Sequence, residues 1–234
     1  MKRLIAVICI LGSMMLAALP GTAAADGRES AKIEVAGDVL KEIAGIPEKG
    51  IPPALLRNAS GIAIIPDVIK AGFILGGRYG TGVLLVRDKD GRWSNPSFIT
   101  ITGGSIGWQI GVESMDIVLV FKNETTIRHI LSGKFTVGAD ASVAAGPVGR
   151  TGQAATDIQL KSEIFSYSRS RGLFAGLSLE GAALMIDEDA NEKVYGKEGI
   201  LARDIFENRD LKAPAAAERL RKILAEYTDK EPGK

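Results

Sequence analysis

The chain has 234 residues, 46% hydrophobic content and a formal net charge of +1, with 28 glycines, one cysteine and one histidine. That length and apolar content suit one domain around one core, and the near-neutral charge excludes a global field for nucleic acid. One cysteine and one histidine exclude both a disulfide framework and a Cys/His zinc cluster.

Residues 1–25 open with Lys2 and Arg3, continue through an apolar run from Leu4 to Leu19, and exit through Pro20 to Ala23-Ala24-Ala25. This order reads as a secretory signal cleaved after Ala25, with a retained membrane anchor as the alternative. Cys9 lies inside the segment behind Ile8, where a lipid-modified cysteine needs a small residue, so no thiol chemistry is expected in the mature protein. Loss of Lys2 and Arg3 turns the net charge to −1, with 27 basic against 28 acidic residues. The expected location is periplasmic or secreted, with membrane association left to binding.

From Asp26 to Ile46, Ile33, Ala36, Leu40, Ile43 and Ala44 recur at helical spacing and predict an amphipathic helix ended by Gly45 and Pro47. Such a helix lies on a membrane surface or on the protein's own sheet. Its polar positions are net acidic, Asp26, Glu29, Glu34, Asp38 and Glu42 against Arg28, Lys32 and Lys41, which favours the sheet. Residues 26–50 lead into a domain expected over 51–228, followed by a loose tail at 229–234. Pro52 and Pro53 open a short helical turn, and strand chemistry begins at Gly61.

Asp88-Lys89-Asp90-Gly91 predicts a hairpin turn between Val83–Val86 and Trp93. Phe98–Thr102 and Met115–Phe121 read as strands and Thr125–Leu131 as a short helix. Phe135–Ala145 and Ile158–Ser168 again read as strands, and Phe165–Gly181 as two strands meeting at a bend, with Gly172, Gly176 and Gly181 as candidates for positive φ or close backbone approach. Asp189 is expected to cap a helical turn through Tyr195, Gly199–Phe206 to form another, and Ala215–Tyr227 an amphipathic helix carrying Leu220, Ile223, Leu224 and Tyr227.

Gly103-Gly104-Ser105-Ile106-Gly107 matches the nucleophile elbow of serine hydrolases, which needs a helix after the serine and a histidine later in the chain. Here the residues after Ser105 look extended and His129 is the only histidine, so a glycine-rich bend is the better reading. Asp187, Asp189, Asn191 and Glu198 follow calcium-loop spacing, but Glu192 stands where the loop turns on glycine; helix capping is the expected use. No catalytic residue, metal or cofactor is expected. Lys70, Arg78, Arg169 and Arg171 sit beside glycine-rich bends, where backbone N–H groups can join them in receiving a phosphate. Each alone reads equally as a solvated strand end.

Lys70-Ala-Gly-Phe73, Gly80-Thr-Gly82, Trp93-Ser-Asn-Pro96, Gly146-Pro-Val-Gly-Arg150, Phe165-Ser-Tyr-Ser168 and Arg171 through Gly181, followed by Asn191–Gly196, closely resemble the SYLF domain family over roughly Leu55–Phe206. The resemblance implies a non-enzymatic lipid-binding module. Its eukaryotic members resemble one another in binding phosphoinositides and membranes with the help of an N-terminal amphipathic helix, and some yeast members bind actin. The acidic helix and the export signal depart from that pattern; lipid binding carries over as a class, and actin does not.

The sequence therefore predicts an α+β domain, a strongly bent, mainly antiparallel sheet with barrel-like closure as one form, and helices at both ends. Its expected partner is a phospholipid or membrane surface, met by Lys70, Arg78, Arg169 and Arg171 and by the Ile33, Leu40 and Ile43 face. An envelope protein partner is the alternative, and a hydrolase at Ser105 the third reading.

Overall fold

The computed structural model describes residues 21–46, 50–147, 162–170, 173–176 and 179–228. Two long strands dominate it: β1 (Gly61–Val86) and β2 (Ser97–Phe121) pair antiparallel from Gly61 opposite Phe121 to Leu84 opposite Ser97. The turn between them is the expected one. Asp88 N donates to Arg92 O, Gly91 N donates to Asp88 O, and Gly91 takes φ +82°.

The glycines of β1 let it curl within one continuous strand. A Cβ on Gly80 would lie 2.7 Å from Val68 Cγ2, and one on Gly82 would fall on the Ile64 carbonyl. The second half of β1 thus lies against its own first half, at a separation that only glycine permits. Register shifts between Ile65 and Val68, and between Gly72 and Ile74, supply the bend.

The remaining strands extend this curl. β5 (Ile164–Ser170) pairs with the end of β2, β7 (Ala183–Ile186) with its beginning, β3 (Phe135–Thr136) with β7, β4 (Val143–Ala145) parallel to β5, and β6 (Leu173–Gly176) antiparallel to β5. The expected Phe135–Ala145 strand is split, because Gly138 turns the chain at φ +88°. Arg171 and Gly172, at the predicted bend between β5 and β6, lie outside the described residues, as does the start of the predicted Ile158–Ser168 strand. The result is the α+β fold expected, with a strongly curled, mainly antiparallel sheet and helices at both ends.

Both faces of the sheet are buried, which explains the continuous apolar runs of β1 and β2. Ile62, Ile64, Val83, Leu85, Val118 and Val120 share one core with α1 (Gly21–Ala44), Leu56 of α2 (Pro53–Arg57) and α6 (Ala215–Thr228). Ala63, Ile65, Leu84, Ile99, Ile117 and Leu119 share a second with Phe135, Leu184 and α3 (Glu124–Leu131), against which Phe206 of α5 (Ala202–Glu207) packs. Tyr167 is buried with its hydroxyl donating to Pro147 O at 3.1 Å, and its ring occupies the space a side chain on Gly146 would need.

The described part of α1 starts at Gly21, upstream of the cleavage point expected after Ala25. Ile33, Leu40 and Ile43 are fully buried against the sheet and α6. The membrane-contact role expected of these three is corrected accordingly: their burial, about 1.5–3 kcal/mol per side chain, already holds the helix to the domain. Among the described residues no helix is long and apolar enough to cross a membrane.

Candidate functional site

Of the four expected cations, the three described ones, Lys70, Arg78 and Arg169, do not form one patch. Arg169 lies on the α1 face of the sheet, where its Nε and Nη2 donate to Asp116 Oδ2 at 3.1 and 2.7 Å, and it also pairs with Glu42 of α1. Burial raises the Asp116 carboxyl above its ordinary value; the Asp67 N–H at 3.1 Å opposes that, and the nearby Asp67 carboxylate adds to it. Arg169 is thus a clamp between α1 and the sheet, with its charge already met by two carboxylates.

Lys70 and Arg78 belong to the other face. Lys70 is two residues past Val68, and Arg78 two before Gly80, the position that abuts Val68; alternation along the strand puts both on the Val68 side. Lys70 sits opposite Glu113 in register, and half-burial pushes the Arg78 guanidinium below its ordinary value. Arg171 lies outside the described residues.

What the fold does bring together is a cleft of about 320 Å³ between α1 and the bend of β1, lined by Arg28, Ala31, Lys32 and Val35 on one side and Pro66, Asp67, Ile69, Tyr79, Gly80 and Thr81 on the other. The helix residues fall at i, i+3, i+4 and i+7, the face beside the buried stripe. On the strand side, the register shift at Ile65–Val68 lifts Pro66 and Asp67, and the return of β1 over itself carries Tyr79 and Thr81 beside them. Val35, Ile69 and Tyr79 are 42%, 50% and 57% exposed, three of the five large hydrophobic side chains exposed among the described residues. Their convergence on one cleft is the signature of a contact surface, since scattered exposed hydrophobes need no explanation.

Polar groups at the cleft are held in place from below. Asp67 takes φ +48°, a left-handed conformation that aspartate tolerates, and its N–H is fixed by Asp116, itself clamped to Arg169. Lys32 Nζ lies 2.8 Å from the mostly buried Glu29 carboxylate.

The other motifs resolve into structure. Ser105 lies inside continuous β2, so the strand–turn–helix of a nucleophile elbow is absent there. His129 is exposed on α3. Asp187, in place of the expected Asp189, caps α4 (Glu188–Tyr195) by accepting from Ala190 N at 3.0 Å. Buried Asn191 accepts from Phe98 N at 2.8 Å and donates to Ser97 Oγ at 3.0 Å, while Glu192 accepts from Gly199 N. Among the described residues no group of three or more acidic, histidine or cysteine side chains is placed to hold a metal ion. The Trp93–Pro96 stretch serves packing: Trp93 is buried, and the Pro96 carbonyl accepts from the Tyr195 hydroxyl at 2.6 Å.

The fold is thus a curled α+β sheet braced by terminal helices, with an exposed and largely apolar cleft at its surface. The chain belongs to the Ysc84, or SYLF domain, family: the model described as "Las17-binding protein actin regulator" matches residues 102–227. It is 38% identical over 218 residues to "SH3 domain-containing YSC84-like protein 1" of Xenopus laevis, covering 91% of this chain and 63% of that protein. It is 44% identical over 177 residues to "Protein YSC84" of Saccharomyces cerevisiae, covering 74% and 37%. "LAS seventeen-binding protein 3" of the same yeast is 36% identical over 209 residues, covering 88% and 45%. The chain thus spans less than two thirds of the length of these relatives, of which the last is named as a binding protein.

Proposed function

We propose that this domain is a non-enzymatic module that binds phospholipid at the cell envelope, after export through the signal at residues 1–25. The observation that carries the reading is the gathering of Val35, Ile69 and Tyr79 around one cleft beside Arg28 and Lys32. Apolar side chains left in water beside cations match an amphiphile, whose chain and head need both environments. The binding surface is this cleft, in place of the Lys70, Arg78 and Arg169 corners, because Arg169 is neutralised and Lys70 and Arg78 lie on the opposite face.

Co-sedimentation of the purified protein with phospholipid vesicles, with and without anionic lipid, tests the reading. Binding is expected, and Ile69→Asp with Tyr79→Asp should abolish it while leaving the circular dichroism spectrum intact, since both side chains are exposed. No association with vesicles of any composition would overturn it.

A second reading is a protein-interaction module of the envelope, favoured by the binding partner in the family's description. It expects pull-downs to recover a protein partner while vesicles recover nothing. Actin regulation is set aside with the export reading.

A further inference from the structure

The charges around the cleft are unequal in what they can still accept. Lys32 is already answered by Glu29 at 2.8 Å. Arg28 is exposed and has no ion-pair partner among the described residues. Asp67 is exposed too; among the described residues its carboxylate receives only the Ser114 hydroxyl, at 3.4 Å, while its backbone is pinned by Asp116. Among the described residues, one cation without a carboxylate and one carboxylate without a cation therefore share a cleft of about 320 Å³, at the small end of the roughly 300–1,000 Å³ of ligand sites.

We infer that the cleft takes a single-chain zwitterionic amphiphile, its phosphate at Arg28, its ammonium at Asp67 and its one acyl chain along Val35, Ile69 and Tyr79. This rests on the phospholipid reading and narrows it. A purely anionic head would gain Arg28 but face the Asp67 carboxylate across the same small opening, where like charges repel. A phosphate and an ammonium two carbons apart satisfy both. A cleft of about 320 Å³ has no room for two acyl chains, so the ligand is a lysophospholipid. Fixing the Asp67 backbone through Asp116 and Arg169 lowers the ordering cost of meeting the ammonium.

Isothermal titration of the purified protein with lysophosphatidylethanolamine and with lysophosphatidylglycerol of the same chain, both below their micelle concentrations, tests this. The zwitterionic ligand should bind saturably at one site, and the anionic one about fivefold more weakly, the scale of one partly exposed charge contact. Asp67→Asn, which keeps the left-handed backbone accessible, should close that gap; Arg28→Gln should weaken both ligands. Equal or tighter binding of the anionic ligand would overturn the headgroup assignment. Saturable binding to vesicles with none to either monomer would overturn the single-chain cleft while leaving surface association standing, and failure with both vesicles and monomers would end both readings.

Discussion

Arg169 offers a sharp way to separate a structural cation from a lipid-facing one. Its side chain is 27% exposed, and it donates two hydrogen bonds to Asp116, which is only 12% exposed, besides pairing with Glu42. Arg169→Met leaves the Asp116 carboxylate with the Asp67 N–H as its remaining strong donor. Breaking a fully buried pair costs about 3–5 kcal/mol; solvent access to Arg169 and the surviving N–H reduce that here to about 2–3 kcal/mol. Glu42 adds little, because its side chain is half exposed and returns to water. For a domain of this size the loss corresponds to a fall in Tm of about 4–12 °C. Thermal unfolding followed by circular dichroism measures it, with Lys70→Met as the comparison, expected within about 0.5 kcal/mol of the unaltered protein. A Tm for Arg169→Met unchanged within about 2 °C, less than the shift expected from 1 kcal/mol, together with lost vesicle binding, would refute the clamp and restore Arg169 as a headgroup ligand.

Two further substitutions test how the core is built. Gly146→Ala drives a methyl into the Tyr167 ring and should cost about 1–3 kcal/mol by overpacking, while the same change in a Tyr167→Leu background should cost clearly less; additive losses in denaturant titration would mean the ring and Gly146 do not meet. Asn191→Ala strands the buried Phe98 N–H and should destabilise by about 1–3 kcal/mol whether or not calcium is present, whereas a calcium-dependent loss would revive the metal-loop reading.

Local signals made much of this fold readable. The helical spacing of Ile33, Ala36, Leu40 and Ile43 marks the buried stripe of α1, and Asp88–Gly91 marks the hairpin, because both are set within a few residues. The curl of β1 is less legible. Gly80 and Gly82 look like strand breaks in the sequence, yet here they allow two halves of one strand to touch, a contact visible only once Ile64, Ile65 and Val68 are placed against them. Arg169 resembles a free cation in the sequence because its partners, Asp116 and Glu42, are on distant elements. The cleft is the least legible feature, being assembled from α1, a register shift and the returning strand. Its one sequence trace is Val35, an apolar residue beside the acidic positions of α1, outside the stripe that fills the core.

On the proposed reading, amphiphile enters between α1 and the bend of β1 while α1 stays docked. A lysophospholipid carrying a photoreactive group in its acyl chain, crosslinked to the purified protein and mapped by mass spectrometry at single-residue resolution, tests it most directly. Labelling concentrated on Val35, Ile69 and Tyr79 is the predicted result. Labelling at Ile33, Leu40 and Ile43 would show that the helix leaves the sheet to meet lipid, and would contradict the account.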